Sequence, residues 1–226
     1  GTSSGLGAID AALSLVGGAS GGDELVVDDG ATTSASTFEI SNSGDTITSS
    51  RTAAEAAITF SGFASADIRL GAGADTVTVG GSRIATTLST GAGVDVVRLG
   101  NDATGFATAI ASGLSVDGGG DAGDRVELRS TGRSTTSLGR PSAGDVTATI
   151  AQDVTTNGVT SAVARVATLR GFGATALSLG LGTDTVTIGD TGTAVSLATG
   201  DGGAAVSVAG ASRAVDVVLG GGINAE

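Results

Sequence analysis

The chain contains no Cys, Met, Trp, Tyr, His or Lys and a single proline, Pro141. Each absence closes a class of function. Without Cys there is no disulfide framework and no thiolate site. Without His, Lys, Tyr or Cys, acid–base chemistry is left to Asp and Glu, with Arg alone to stabilise charge. No Ser–His pair, nucleophile elbow or phosphate-loop lysine exists. Sugar sites usually stack a ring on an aromatic, yet the only aromatics are five Phe. The net charge of −12 offers no basic patch, which excludes nucleic-acid binding and disfavours anionic membranes. Apolar runs such as residues 217–219 are too short to span a bilayer, so no membrane insertion is expected. The lack of any Met reads as a processed product or a piece of a longer polypeptide. A non-enzymatic role is therefore expected.

What is present is glycine, 40 of 226 residues, with small and β-branched side chains. Such residues suit a thin core between closely spaced β layers. The chain also repeats itself. Residues 8–27 align with 109–128, a shift of 101, and residues 58–79 align with 167–188, a shift of 109. The extra eight residues are expected near 139–161. The units are thus 1–107 and 108–213, and AVDVVLGGG opens a third copy over 214–226. Within each unit, Gly71-x-Gly73-x-Asp75 recurs 20 residues later as Gly91-x-Gly93-x-Asp95. In the second unit Gly180-x-Gly182-x-Asp184 is followed 20 later by Gly200-Asp-Gly202-Gly-Ala204. Between these turns lie short alternating runs such as TVTV, VVRL and TVTI, the signature of strands with one buried face. Residues 8–15 and 52–58 are read as strands with them. The expected fold is all-β, a parallel β-solenoid of about 20 residues per coil, with strands stacked at about 4.8 Å. Tandem β-sandwich repeats are the alternative.

Glycines at alternate positions followed by an aspartate carry two readings. The first is a tight corner whose carboxylate caps backbone amides. The second is a loop of hard oxygen ligands, suited to calcium and not to zinc or copper. The three motifs resemble the glycine-rich calcium repeats of secreted bacterial RTX proteins. That resemblance implies a β-roll in which Gly71, Gly73, Asp75, Gly91, Gly93, Asp95, Gly180, Gly182 and Asp184 supply ligands to Ca²⁺ between adjacent turns. Leu70, Thr90 and Leu179 stand where that family has a further glycine, and its nine-residue spacing is absent, so isolated sites are expected rather than a continuous ladder. More broadly, DELVVDDG (23–30), ITFSGF (58–63) and LGAGADTVTV (70–79) resemble tandem repeat domains of giant bacterial surface and adhesin-like proteins. This implies an extracellular stalk, fibre or surface-layer element whose partners are neighbouring repeats, or identical chains stacked head to tail. A calcium-dependent adhesion module is the alternative. Phe63 and Phe172 fall at equivalent positions and are expected in the core, and Asp28 and Asp29 are expected to cap a turn.

Overall fold

A computed structural model describes residues 6–18, 21–41, 45–50, 57–100, 105–106, 110, 113–142, 145–156 and 158–220. Among the described residues it is all-β, with two mostly parallel sheets, a 3-10 turn at Leu6–Ala8 and helical backbone at Gly105 and Phe106. The first repeat lays down β1 (Leu13–Val16), β2 (Glu24–Asp28), β3 (Thr37–Ile40), β4 (Thr46–Ser49), β5 (Ile58–Ser61), β6 (Ser65–Arg69), β7 (Thr76–Val79), β8 (Ala85–Ser89) and β9 (Val96–Leu99). The second lays down β10 (Leu114–Asp117), β11 (Arg125–Arg129), β12 (Ser134–Ser142), β13 (Asp145–Thr156), β14 (Val159–Arg170), β15 (Ala174–Ser178), β16 (Asp184–Ile188), β17 (Ala194–Ala198) and β18 (Ala204–Val208). The last strand, β19 (Val215–Val218), stands 101 residues after β10, which itself stands 101 after β1.

One sheet has the order β1-β5-β4-β3-β7-β9-β11-β15-β17-β19, and the other β18-β16-β12-β13-β14-β10-β8-β6-β2. From β5 to β12 and from β14 to β19 the chain changes sheet at each step, so from β6 to β11 and from β15 to β19 strands two apart in sequence become neighbours. Ser65 pairs with Ala85, Thr76 with Val96, Ala174 with Ala194, and Asp184 with Ala204, each a step of 20 residues. Such a connection forces parallel pairing, because successive visits to one sheet run the same way. The period of 20 is not uniform. Thr86 pairs with Leu114 and Val96 with Arg125, the extra residues lying in the turns that precede β10 and β11.

Larger departures come from two antiparallel meanders, β3-β4-β5 and β12-β13-β14, which stay within one sheet. They correspond between repeats. The predicted insertion near 139–161 lengthens the second meander, whose β13 and β14 pair along twelve residues from Asp145↔Arg170 to Thr156↔Val159. Asn157-Gly158 is a strong two-residue hairpin signal that the strand reading passed over, and Gly158 has φ 77°. Of the expected strand over 8–15, only residues 13–15 are extended; residues 52–56 lie outside the described residues.

The number of sheet visits per repeat produces a symmetry that local pattern does not show. Counting each as one visit, a repeat makes seven visits to the sheets, so the next repeat begins on the opposite sheet. Thus β6, β7 and β8 lie on the second, first and second sheets, whereas β15, β16 and β17 lie on the first, second and first.

Alternation sorts the side chains. In TVTV, Val77 and Val79 are buried while the threonines point outward; in DTVTI, Val186 and Ile188 are buried and Thr185 and Thr187 exposed. The interior is one cluster of Val, Leu and Ile with Phe38, Phe60, Phe106 and Phe172. Phe63 packs at its margin, edge-on to Phe60 at 6.4 Å.

Candidate functional site

The glycine–aspartate turns fall at the two seams where the chain passes between sheets. Gly71–Asp75 and Gly91–Asp95 lie where the chain leaves the second sheet for the first, and the turn before β11 lies on that seam too. Gly180–Asp184 lies on the opposite seam, a consequence of the exchange of sheets between repeats. The structure therefore brings Asp75 and Asp95 together, as the 20-residue spacing implies, and sets Asp184 apart from both.

The glycines are there because adjacent turns touch through their backbones. A Cβ on Gly71 would sit 1.9 Å from the Thr32 carbonyl oxygen, one on Gly91 1.9 Å from that of Gly71, and one on Gly93 2.3 Å from that of Gly73. On the other seam, Gly180 meets Thr131 and Gly182 meets Arg133 at under 3.0 Å. The approach lets the Ala92 amide donate to the Gly71 carbonyl at 3.1 Å, and the Ala72 amide to the Thr32 carbonyl at 2.6 Å.

The aspartates point inward and form a ladder. The Ser36 amide donates to Asp75 Oδ1 at 2.7 Å, the Asp75 amide to Asp95 Oδ1 at 2.7 Å, and the Asp95 amide to Asp124 Oδ1 at 2.9 Å. Each contact is doubled by the next residue. The Thr76 amide donates to the Ser36 carbonyl, the Val96 amide to that of Asp75, and the Arg125 amide to that of Asp95. Each aspartate and the residue after it thus hold the preceding turn at two points, one through the carboxyl and one through the backbone. On the opposite seam, Asp184 Oδ1 accepts both the amide and the hydroxyl of Ser134 at 2.8 Å. Asp124 was missed in the sequence because its turn, DGGGDAGD, breaks the Gly-x-Gly-x-Asp spacing. The signal that finds it is an aspartate placed directly before an alternating strand. Asp28 and Asp29 cap, as expected: Asp28 Oδ1 accepts the Gly30 amide, and Asp29 Oδ1 accepts the Leu6 amide and the Thr32 hydroxyl.

Asp75, Asp95, Asp124 and Asp184 are almost wholly buried, and Oδ2 of the last three has no hydrogen-bond partner. Burial pushes all four carboxyls above the usual range, against amide and hydroxyl hydrogen bonds that pull them down; Asp95 raises Asp75 further by like-charge repulsion. Asp190 is the opposite case. Exposed, and bonded to the Ser212 hydroxyl, the Arg140 guanidinium and the Gly192 amide, its carboxyl is held down at about 2.

This geometry is a poor fit to calcium, which takes six to eight oxygens. The turns of Asp95, Asp124 and Asp184 each offer one buried carboxylate oxygen outside a hydrogen bond, and Gly71 O already accepts an amide. Among the described residues no group of three or more His, Cys, Asp or Glu is placed to hold a metal ion. A proton, by contrast, removes the buried charge of such a carboxyl without further ligands.

A pH dependence follows. A carboxyl whose folded pKa lies above its unfolded value, about 3.9, binds protons more tightly in the folded state. Stability then falls as pH rises from that value through the raised pKa values, and levels off above them. The melting temperature is expected to be higher near pH 5 than at pH 7, and to fall again towards pH 2 as Asp190 is protonated. Thermal melts from pH 2 to 8 check this. A melting temperature that climbs from pH 5 to 7 would mean the ladder is stabilised as anions, the sign a bound cation would give.

Two shallow clefts occupy equivalent places in the repeats. One is lined by Asp45, Phe60, Gly62, Phe63, Arg83 and Ile84; the other by Arg140, Leu169, Gly171, Phe172, Gly192 and Thr193. Each holds or adjoins an Arg–Asp pair, Arg83–Asp45 at 3.4 Å and Arg140–Asp190 at 2.7 Å. No protein-family model, curated protein or solved structure matches the chain.

Proposed function

We propose that the chain is a segment of a β-solenoid whose work is mechanical: a non-enzymatic stalk, fibre or surface-layer element of a bacterial extracellular protein. The observation that carries this reading is the pairing of strands 20 residues apart in both sheets, bound at the seams by the aspartate clasps. Each regular circuit adds one strand to each sheet, so added sequence becomes added length. The first sheet alone, with ten strands at about 4.8 Å, extends about 43 Å across its strands. The extracellular assignment draws on the acidic, Cys-free composition and on the resemblance to surface-protein repeats.

Adding one further repeat by gene fusion tests it. Small-angle scattering should show the longest dimension growing by about 20 Å, the mean of six strands added to one sheet and three to the other, at constant cross-section. Growth in all directions would refute it.

Calcium as stabiliser is tested separately. Because the ladder carboxyls already hold backbone amides, chelator is expected to leave the melting temperature unchanged. A drop of several degrees, restored by Ca²⁺ and not by Mg²⁺, would assign ligation to Asp75, Asp95 and Asp184.

A second reading, a calcium-dependent adhesion module, draws on the two equivalent clefts, which repeat an arginine beside a phenylalanine. It requires glycan or cell binding that needs Ca²⁺ and is lost in the Arg83→Ala/Arg140→Ala double variant.

A further inference from the structure

The net charge of −12 hides a local reversal on the outer face of the first sheet. β9 and β11 are parallel neighbours there, with Arg98 paired to Glu127, and Arg125 and Arg129 stand two residues either side of Glu127 on its own strand. Alternation turns these side chains outward, because Val97, Leu99, Val126 and Leu128 between them are buried. The Arg98 Nε–H donates to Glu127 Oε2 at 3.2 Å, while Arg125 reaches Oε1 at 3.3 Å and Arg129 reaches Oε2 at 3.7 Å. Glu127 lies beneath them. Its side chain is 16% exposed, against 37% for Arg98 and 51% for Arg125, so the face presents guanidinium and not carboxylate. The residues in register with these are uncharged: Thr78 beside Arg98, Val96 and Ala174 beside Arg125, Ala176 beside Glu127 and Ser178 beside Arg129. Along the row through Glu127, the next acids are Glu39, two strands beyond Arg98, and Asp216, three strands beyond Glu127. By strand spacing these are about 10 and 14 Å away. Asp95 and Asp124, just before the two strands, turn their carboxyls inward to backbone amides.

A single carboxylate cannot occupy the guanidiniums it gathers. Each guanidinium carries five N–H groups, and the Nε bond of Arg98 leaves its two terminal nitrogens for another acceptor. We infer that Arg98 and Arg125 form a site for an oxyanion, either inorganic phosphate or the carboxylate of a uronate sugar. Glu127 holds the two guanidiniums in place, and Arg129 adds charge. The guanidinium fork matches such groups with paired N–H donors. By strand geometry the Cα atoms of Arg98 and Arg125 lie about 8 Å apart, so both long side chains can reach one small anion. A larger bearer also has room. β15 and β17 present only Ala174, Ala176, Ala194 and Ser196 beside Arg125, the floor of a shallow groove that ends at Asp216. With no aromatic to stack a sugar ring, binding there depends on charge. The site is separate from the two phenylalanine clefts and does not depend on the stalk reading.

Arginine Nε–H signals in nitrogen-15 NMR spectra of the full chain test this, with ionic strength held constant by chloride so that screening does not change. Inorganic phosphate and tri-galacturonate should each shift the Arg98 and Arg125 signals saturably. Arg69 and Arg170, paired with Asp67 and Asp117, are internal controls and should move about fivefold less. Trimer binding tighter than phosphate by about tenfold or more identifies the sugar as the source, and any smaller ratio identifies the free ion. Arg125→Ala should weaken both about tenfold or more. Glu127→Gln is the sharper variant. It removes the competing negative charge and should tighten both about threefold or more, whereas arginines serving only an ion pair would disperse and bind more weakly. The inference is overturned by uniform shifts at all four arginines, by the lack of a saturable shift, or by binding to Glu127→Gln no tighter than to the parent. The stalk reading would survive any of these, since scattering tests it independently.

Discussion

Replacing Gly91 by alanine is expected to lower stability by at least about 3 kcal/mol, because two independent costs coincide there. Gly91 has φ 91°, where an L side chain is strained by about 1 kcal/mol or more. Its new methyl would also lie 1.9 Å from the Gly71 carbonyl oxygen and 2.9 Å from that of Leu70. Both obstacles are backbone, so no side-chain rotation relieves them, and the two turns must separate at the point where the Ala92 amide reaches Gly71. At about 2–4 °C per kcal/mol for a chain of this size, the melting temperature should fall by roughly 10 °C. Gly139→Ala is the control: no atom lies within 4 Å of the added methyl, and the change should stay within about 0.5 kcal/mol. If Gly91 served only to offer a carbonyl to an ion, alanine would offer the same carbonyl. Equal melting of the two variants would therefore restore the ligand reading of the motif.

The second large effect is expected at Asp95, where alanine and asparagine should part company. Alanine removes Oδ1 and leaves the buried Asp75 amide without its acceptor, whereas asparagine keeps an oxygen in that place. An unpaired buried amide costs about 1–3 kcal/mol, so Asp95→Ala should unfold at lower denaturant than Asp95→Asn by about 2 kcal/mol. Both variants should flatten the decline in stability between pH 5 and 7, since neither carries a carboxyl that burial can push upward. Urea titrations at pH 5 and 7 separate the two effects. Equal stability of the variants at both pH values would show that the clasp on Asp75 contributes nothing.

How far the sequence spoke depends on what each pattern encodes. TVTV and DTVTI name their buried faces, because period-two alternation is a local property of four or five residues. The 20-residue spacing likewise placed Asp75 beside Asp95, since parallel neighbours two strands apart must keep that step. Two things lay beyond local pattern. Whether a Gly-x-Gly-x-Asp carboxyl turns inward to an amide or outward to an ion depends on how closely the next turn stacks, and the motif reads the same in both cases. Placing Asp184 with Asp75 and Asp95 required the number of sheet crossings per repeat. That parity is the sum of seven visits over the whole repeat, with each meander counting as one. A reversal at Asn157-Gly158 was open to reading; which sheet receives the chain afterwards is a global count.

The odd number of crossings has a consequence for any long array built this way. A feature that occurs once per repeat, such as the phenylalanine–arginine cleft, faces one flank in one repeat and the opposite flank in the next. Bulky additions made at every repeat would then balance across the midline, and the array would gain no bias to curl towards either flank. A designer wanting a curved filament could delete one single-strand visit with its turn, leaving six visits per repeat and bringing every cleft onto a single flank.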